Sequence, residues 1–118
     1  MRTPKRQKEV SLTPSDYKVV VVVFGTRHYN DRRQFHEDMC ELVESYEGQP
    51  ILFVSGAAYS GADRLIIQWC RKFGYPCLEF PAQWEDKKGY NPAAGFERNE
   101  KMAKISTFGR GYWDGKST

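Results

Sequence analysis

Ile51-Leu52-Phe53-Val54-Ser55-Gly56-Ala57-Ala58-Tyr59-Ser60-Gly61-Ala62-Asp63-Arg64 reads as a strand, a tight turn and the start of a helix. Ile51 to Val54 is a short apolar run that reads as a buried strand, and a loop of small residues follows it. A helical pattern begins at about Ala62 and runs to Phe73, with Leu65, Ile66, Trp69, Cys70 and Phe73 on one face and Gly74 as the stop. The first amides of a helix have no intrahelical acceptor and lie at the positive end of the macrodipole. A turn of this size at that point suits an anionic group such as phosphate.

On the N-terminal side, Val19 to Phe24 is a β-branched run closed by Gly25, apolar on both faces and too short for a helix, which predicts a central parallel strand. Asp31 is the expected N-cap of a helix reaching about Glu47, in which Phe35, Met39, Leu42, Val43 and Tyr46 form one stripe. Gly48-Gln49-Pro50 ends it. On the C-terminal side, Tyr75 to Phe80 predicts a third strand, and Glu85 to Pro92 a charged loop without periodicity. A third helix is expected from about Ala93 to Lys104. Ile105 to Trp113 is expected as a fourth strand on topological grounds, although Gly109-Arg110-Gly111 is poor strand sequence. Strands alternating with amphipathic helices give an α/β class: a Rossmann-like three-layer sandwich with a mostly parallel sheet of four or more strands and right-handed crossovers.

The chain of 118 residues is one domain's worth, with no room for separate cofactor and substrate domains. Its formal net charge is +3, and Arg2, Lys5, Arg6 and Lys8 concentrate positive charge at the start. Residues 1–17 therefore read as a basic, disordered arm, either a solubilising tail or a clamp for an acidic partner, ahead of a domain at 18–118. The 3 cysteines, Cys40, Cys70 and Cys77, lack metal-ligand spacing and read as reduced thiols. His28 and His36 lack partners at metal spacing, and His36 is expected to face solvent; no metal or resident cofactor is expected. No apolar run reaches the length of a leader core or a bilayer crossing, so a cytoplasmic location is expected.

In a parallel sheet ligands bind beyond the carboxyl ends of the strands. Four segments gather there: Gly25-Thr26-Arg27, the loop from Ser55 to Asp63, Pro81 to Trp84, and Asp114 to Thr118. They bring glycine backbone for close approach, hydroxyls, Arg27 and Lys116 for phosphate, and rings for stacking. Asp63 has an alternative role in favouring the first turn of its helix, and Trp84 and Trp113 have one in packing. Gly115-Lys116-Ser117-Thr118 looks like the close of a Walker A loop, but position 110 is Arg110 where that pattern needs glycine.

Together, Gly25-Thr26-Arg27, Ser55-Gly56 with Gly61-Ala62-Asp63-Arg64, Phe80-Pro81-Ala82 with Trp84, Ala94-Gly95-Phe96 with Arg98-Asn99 and Met102, and Trp113-Asp114-Gly115-Lys116-Ser117 resemble the successive motifs of the YspA-like (YpsA-related) family. That family lies in the SLOG superfamily of Rossmann-like domains, with the DprA proteins and the LOG phosphoribohydrolases. The resemblance runs from Val19 onward in the same order. It implies a nucleotide-type ligand held by Gly25, Thr26, Arg27, Ser55, Gly56, Ala57, Gly61, Asp63, Arg98, Asn99, Asp114, Lys116 and Ser117.

Departures sharpen the expectation. Ala57 stands where a second glycine is common, and Tyr59-Ser60 supplies no basic residue, so phosphate grip falls to backbone amides, Arg27, Arg98 and Lys116. The family's Gly-Thr turn and closing helix do not follow Ser117, and Gly109-Arg110-Gly111 replaces apolar strand core. A homodimer or larger assembly, or a divergent, phage-encoded role, fits both; truncation of the chain fits only the first. The Pro-Gly-Gly-x-Gly-Thr loop of the LOG enzymes is absent, which favours sensing or sequestration of a nucleotide-derived molecule over catalysis. The alternatives are a phosphoribohydrolase-like hydrolase of the N-glycosidic bond, using one of Asp63, Glu97, Glu100 or Asp114, and a DprA-like single-stranded DNA binder using the arm.

Overall fold

The computed structural model describes residues 3–7, 10–26, 28–46, 48–57, 60–81, 85–86, 89–90 and 93–112. Their elements, in chain order, are β1 (Val19–Gly25), α1 (Arg32–Ser45), β2 (Ile51–Ser55), α2 (Ala62–Phe73), β3 (Cys77–Glu79), β4 (Glu85–Asp86), β5 (Gly89–Tyr90), α3 (Ala94–Ile105) and β6 (Phe108–Tyr112). A 3-10 turn at Pro14–Asp16 precedes them. Strands β3, β2, β1 and β6 lie side by side in that order and all run parallel. The chain thus winds outward from β1 to β3, then crosses back to lay β6 on the other side of β1. The strand order reverses between β1 and β6.

Alternation along the central strands explains the three layers. Val19, Val21, Val23, Ile51 and Phe53 face α1 and α2 and pack with Phe35, Met39, Ile66 and Trp69. Val20, Leu52 and Val54 point to the opposite face, where Met102 of α3 and Tyr17 cover them. Because both faces are buried, all of β2 is apolar up to Ser55. Asp31 caps α1 as expected, its side chain accepting from the Gln34 amide at 3.1 Å. Helix α2 has the predicted bounds and ends at Gly74, whose φ of 80° is left-handed and whose N–H donates to Cys70 O at 2.9 Å.

Several details differ from the sequence reading or explain it. Between β3 and α3 the chain forms a small antiparallel pair, β4 with β5, and Gly89, the first residue of β5, takes a φ of +106°. Two-residue strands are too short to show alternation. Ile105 belongs to α3, so β6 starts later than expected. Within β6, Gly109 and Gly111 are tolerated because the ring of Phe24 covers them; a Cβ on either glycine would lie 2.9 and 2.8 Å from that ring. His36 does not face solvent. It is buried, its Nδ1 accepts from Trp69 Nε1 at 3.0 Å, and Cys40 Sγ lies 3.6 Å from Nε2. A histidine one position from Phe35 joins the core face once α2 offers a donor.

Three further contacts tie distant parts of the chain together. Thr107, just before β6, reads Val20 twice: its Oγ1 accepts from Val20 N at 2.9 Å and donates to Val20 O at 2.8 Å, across a separation of 87 residues. Near the start of the chain, the Gln7 amide side chain bonds both Ile51 N and Ile51 O at 2.8 and 2.9 Å, and Tyr75 OH donates to Lys5 O at 2.7 Å. Residues 5–7 therefore lie at the amino ends of β2 and β3. Cys40 and Cys70 are buried, Cys77 is half-buried, and all three are free thiols. Burial, with Cys77 close by, pushes the Cys70 thiol well up, so it stays protonated at neutral pH. Among the described residues no helix is long and apolar enough to cross a membrane.

Candidate functional site

At the carboxyl ends of β1 and β2 two small-residue turns meet. Gly25 closes β1, and a Cβ there would lie 2.2 Å from Tyr112 O of β6 and 3.1 Å from the Cβ of Ala62 at the start of α2. Glycine is required here because three elements converge on one point. The next amide, Thr26 N, donates to Tyr112 O at 3.0 Å, and Thr26 O accepts from Tyr29 N at 3.2 Å. The Thr26 hydroxyl oxygen is buried and makes no hydrogen bond.

The β2 turn is held open by a side-chain clip. Ser55 is fully buried; its hydroxyl donates to Asp63 O at 2.8 Å and accepts from Ala57 N at 3.1 Å. One serine thus joins both ends of the loop. Ala57 has a φ of 58°, the left-handed region that glycine occupies without strain. Gly61 precedes α2 with a φ of 75°, and its carbonyl accepts from Arg64 N and Leu65 N at 3.2 and 3.1 Å. The helix therefore starts with its first amides turned toward the loop.

Helix α3 contributes from the other face of the sheet. Arg98 Nη1 donates to Gly56 O at 3.0 Å, while Arg98 Nε donates to Asn99 Oδ1 at 3.1 Å. A Cβ on Gly56 would meet Asp63 Oδ2 at 2.8 Å and Arg98 Nη1 at 3.0 Å, so the glycine lets a carboxylate and a guanidinium close in on the turn. A cavity of about 240 Å³, lined in part by Phe80, Ala94, Arg98 and Lys101, adjoins it at the end of β3.

Of the residues singled out from sequence, the structure gathers Gly25, Thr26, Ser55, Gly56, Ala57, Gly61, Asp63 and Arg98. Asn99 belongs to the group through its bond to Arg98. Arg27, Trp84, Trp113, Asp114, Lys116 and Ser117 lie outside the described residues. The sequence did not disclose that Ser55 would be a clip, nor that Arg98 would reach across to a carbonyl; both depend on α3 packing beside the β2 turn. Replacing Ser55 by alanine removes a fully buried hydroxyl with two partners, and a loss of about 2 kcal/mol is expected in urea unfolding. Ser55→Thr keeps the hydroxyl and distinguishes loss of the clip from altered packing.

Tyr112 forms the floor on the β6 side, its ring 4.9 Å from Phe35 and 5.1 Å from Tyr29. Its hydroxyl is buried, and the Asp38 carboxylate approaches without reaching hydrogen-bond geometry. Burial first, and the Asp38 charge next, push this phenol far above its ordinary value; Tyr29 and Tyr75 are raised too, again chiefly by burial. Unfolded tyrosines ionise near pH ~10. The stabilisation from keeping these phenols neutral is therefore complete below that pH and is lost as pH rises through the folded values. Stability measured by denaturation should fall steeply above pH ~10, and Tyr112→Phe should flatten the fall. An unchanged alkaline limb in Tyr112→Phe would contradict the assignment.

An all-parallel sheet whose order reverses beside β1, with glycine-bearing turns at the strand ends and a helix starting from one of them, defines a Rossmann-like domain. Residues 19–86 match the model of the YspA, cpYpsA-related SLOG family, and the chain belongs to that family. No curated protein and no solved structure matched the chain.

Proposed function

We propose that this protein binds a nucleotide or nucleotide-derived small molecule at the crevice formed by the β1 and β2 turns, as a sensing or sequestering module. The observation that carries the reading is the Ser55 clip. It holds a small-residue turn in one geometry against the first turn of α2, beside Gly25 and the unpartnered hydroxyl of Thr26. Preorganised amides of this kind suit phosphate oxygens, and rigidity lowers the ordering cost of binding. Arg27, Lys116 and Ser117 are the proposed phosphate-binding side chains beyond the described set, with Asp114 as a further proposed ligand contact. Arg98 acts by fixing Gly56.

Membership of the SLOG family supports this reading, since the superfamily's Rossmann-like domains take nucleotide-type ligands. The position of residues 5–7 supports it over single-strand binding by the arm. They lie at the amino ends of β2 and β3, opposite the crevice.

The test is mass spectrometry of small molecules released by denaturing the purified protein after incubation with a nucleotide panel, with Arg27→Ala beside wild type. An intact nucleotide kept by wild type and lost in the variant is expected. Free base accumulating with time would instead make the protein a hydrolase, with Asp63 beside Gly56 as the first carboxylate to replace. No retained nucleotide across the panel would overturn both readings.

A further inference from the structure

We infer that the ring of Phe24 is a stacking platform for the planar base of that ligand, an inference that rests on the nucleotide reading above. Phe24 is 50% exposed, among the few large apolar side chains so open to solvent within the described residues. It pairs in register with Gly111 of β6, and Val22 with Gly109. Cβ atoms on the two glycines would lie 2.9 Å from Phe24 Cε1 and 2.8 Å from Phe24 Cε2, opposite edges of the one ring. The ring therefore spans the strip left by both glycines, and one of its faces is used up in covering them. Any side chain at 109 or 111 would lift it away.

The platform's place in the sheet is what points to a ligand. Phe24 projects on the same face as Val20 and Val22, the face covered further down by Met102 of α3. Val22 and Val23 pair with Val54 and Ser55, so the next step along β2 from Ser55 brings Gly56 beside Phe24. The ring is thus flanked by Gly111 on one side and Gly56 on the other, with Arg98 Nη1 bonded to the Gly56 carbonyl. It straddles β1 and β6, where the strand order reverses, the position at which open parallel sheets hold a nucleotide. A base stacked on Phe24 would leave its phosphate within the neighbouring turns.

Covering two glycines of an edge strand is a structural task that any apolar side chain could perform. Stacking a base needs a ring. Isothermal titration with the four nucleoside 5′-monophosphates and with ribose 5-phosphate, which has no base, separates the two in wild type, Phe24→Leu and Phe24→Trp, each checked by thermal melting. At least one monophosphate should bind wild type more tightly than ribose 5-phosphate does. Phe24→Leu should weaken that nucleotide on the order of tenfold while leaving ribose 5-phosphate unchanged. Phe24→Trp should keep the affinity and show quenching of the added indole on binding.

Equal nucleotide affinity in wild type and a normally melting Phe24→Leu would overturn the platform and leave the nucleotide reading standing. So would an unquenched indole in a Phe24→Trp that binds, which decides the matter where Phe24→Leu melts early. Binding of none of the five compounds by wild type would overturn both.

Discussion

Gly25→Ala is expected to cost about 3 kcal/mol, a large part of the stability of a domain of this size. The added methyl would sit 2.2 Å from a backbone oxygen of Tyr112, and backbone in a paired strand cannot rotate aside as a side chain can. Relief requires β6 to move off β1 or β1 to twist, and either breaks the 3.0 Å bond from Thr26 N to Tyr112 O. The same methyl presses on Ala62, so the start of α2 shifts as well. Urea unfolding measures the stability, and ligand titration should show the crevice damaged beyond what residual folding accounts for. A loss under about 1 kcal/mol would mean that β1 and β6 adjust freely, contrary to the overpacking argument.

Trp69 gives the other large effect. Its ring contacts Phe53, Phe73 and Tyr75 at centroid distances of 6.0, 5.1 and 5.1 Å, and its Nε1 donates to buried His36. Trp69→Ala empties the middle of the α1–α2 face and should cost about 4 kcal/mol. Trp69→Phe keeps a ring but removes the donor, and about 1.5 kcal/mol is expected, most of it from the weakened partnership with His36. Chemical denaturation of the pair apportions the site between packing and hydrogen bonding. Equal losses in the two variants would assign most of Trp69's contribution to the single 3.0 Å bond.

The elements that were legible in the sequence are those whose residues answer to one local rule. Val19 to Val23 and Ile51 to Val54 are apolar throughout because both faces of β1 and β2 are covered. Helix α2 was bounded by glycines at 61 and 74, and both take positive φ. That Gly25, Ser55, Gly56 and Gly61 would lie near one another was legible because strand-end turns in a parallel sheet converge by topology. What stayed hidden depends on partners distant in sequence. Nothing near His36 announces that a tryptophan 33 residues on will donate to it. Arg98 looks like a helix surface residue until Gly56, 42 positions earlier, is placed beneath it. The glycines of β6 read as a defect when taken alone, and as a seat for Phe24 once the register is known.

The doubled bond between Thr107 and Val20 has a kinetic meaning. Strands β1, β2 and β3 with α1 and α2 need only short loop closures to assemble, whereas β6 must close a loop of 87 residues onto the far side of β1. The added entropy grows only with the logarithm of length, but it falls on the single pairing of β6 with β1. Val20 and Thr107 act as a clasp at the amino end of that contact, and Gly25 with Tyr112 closes the other end. The seat of Phe24 across β1 and β6 therefore exists only once β6 has docked, and a molecule lodged across the two strands would lengthen the lifetime of the folded state by holding β6 in place.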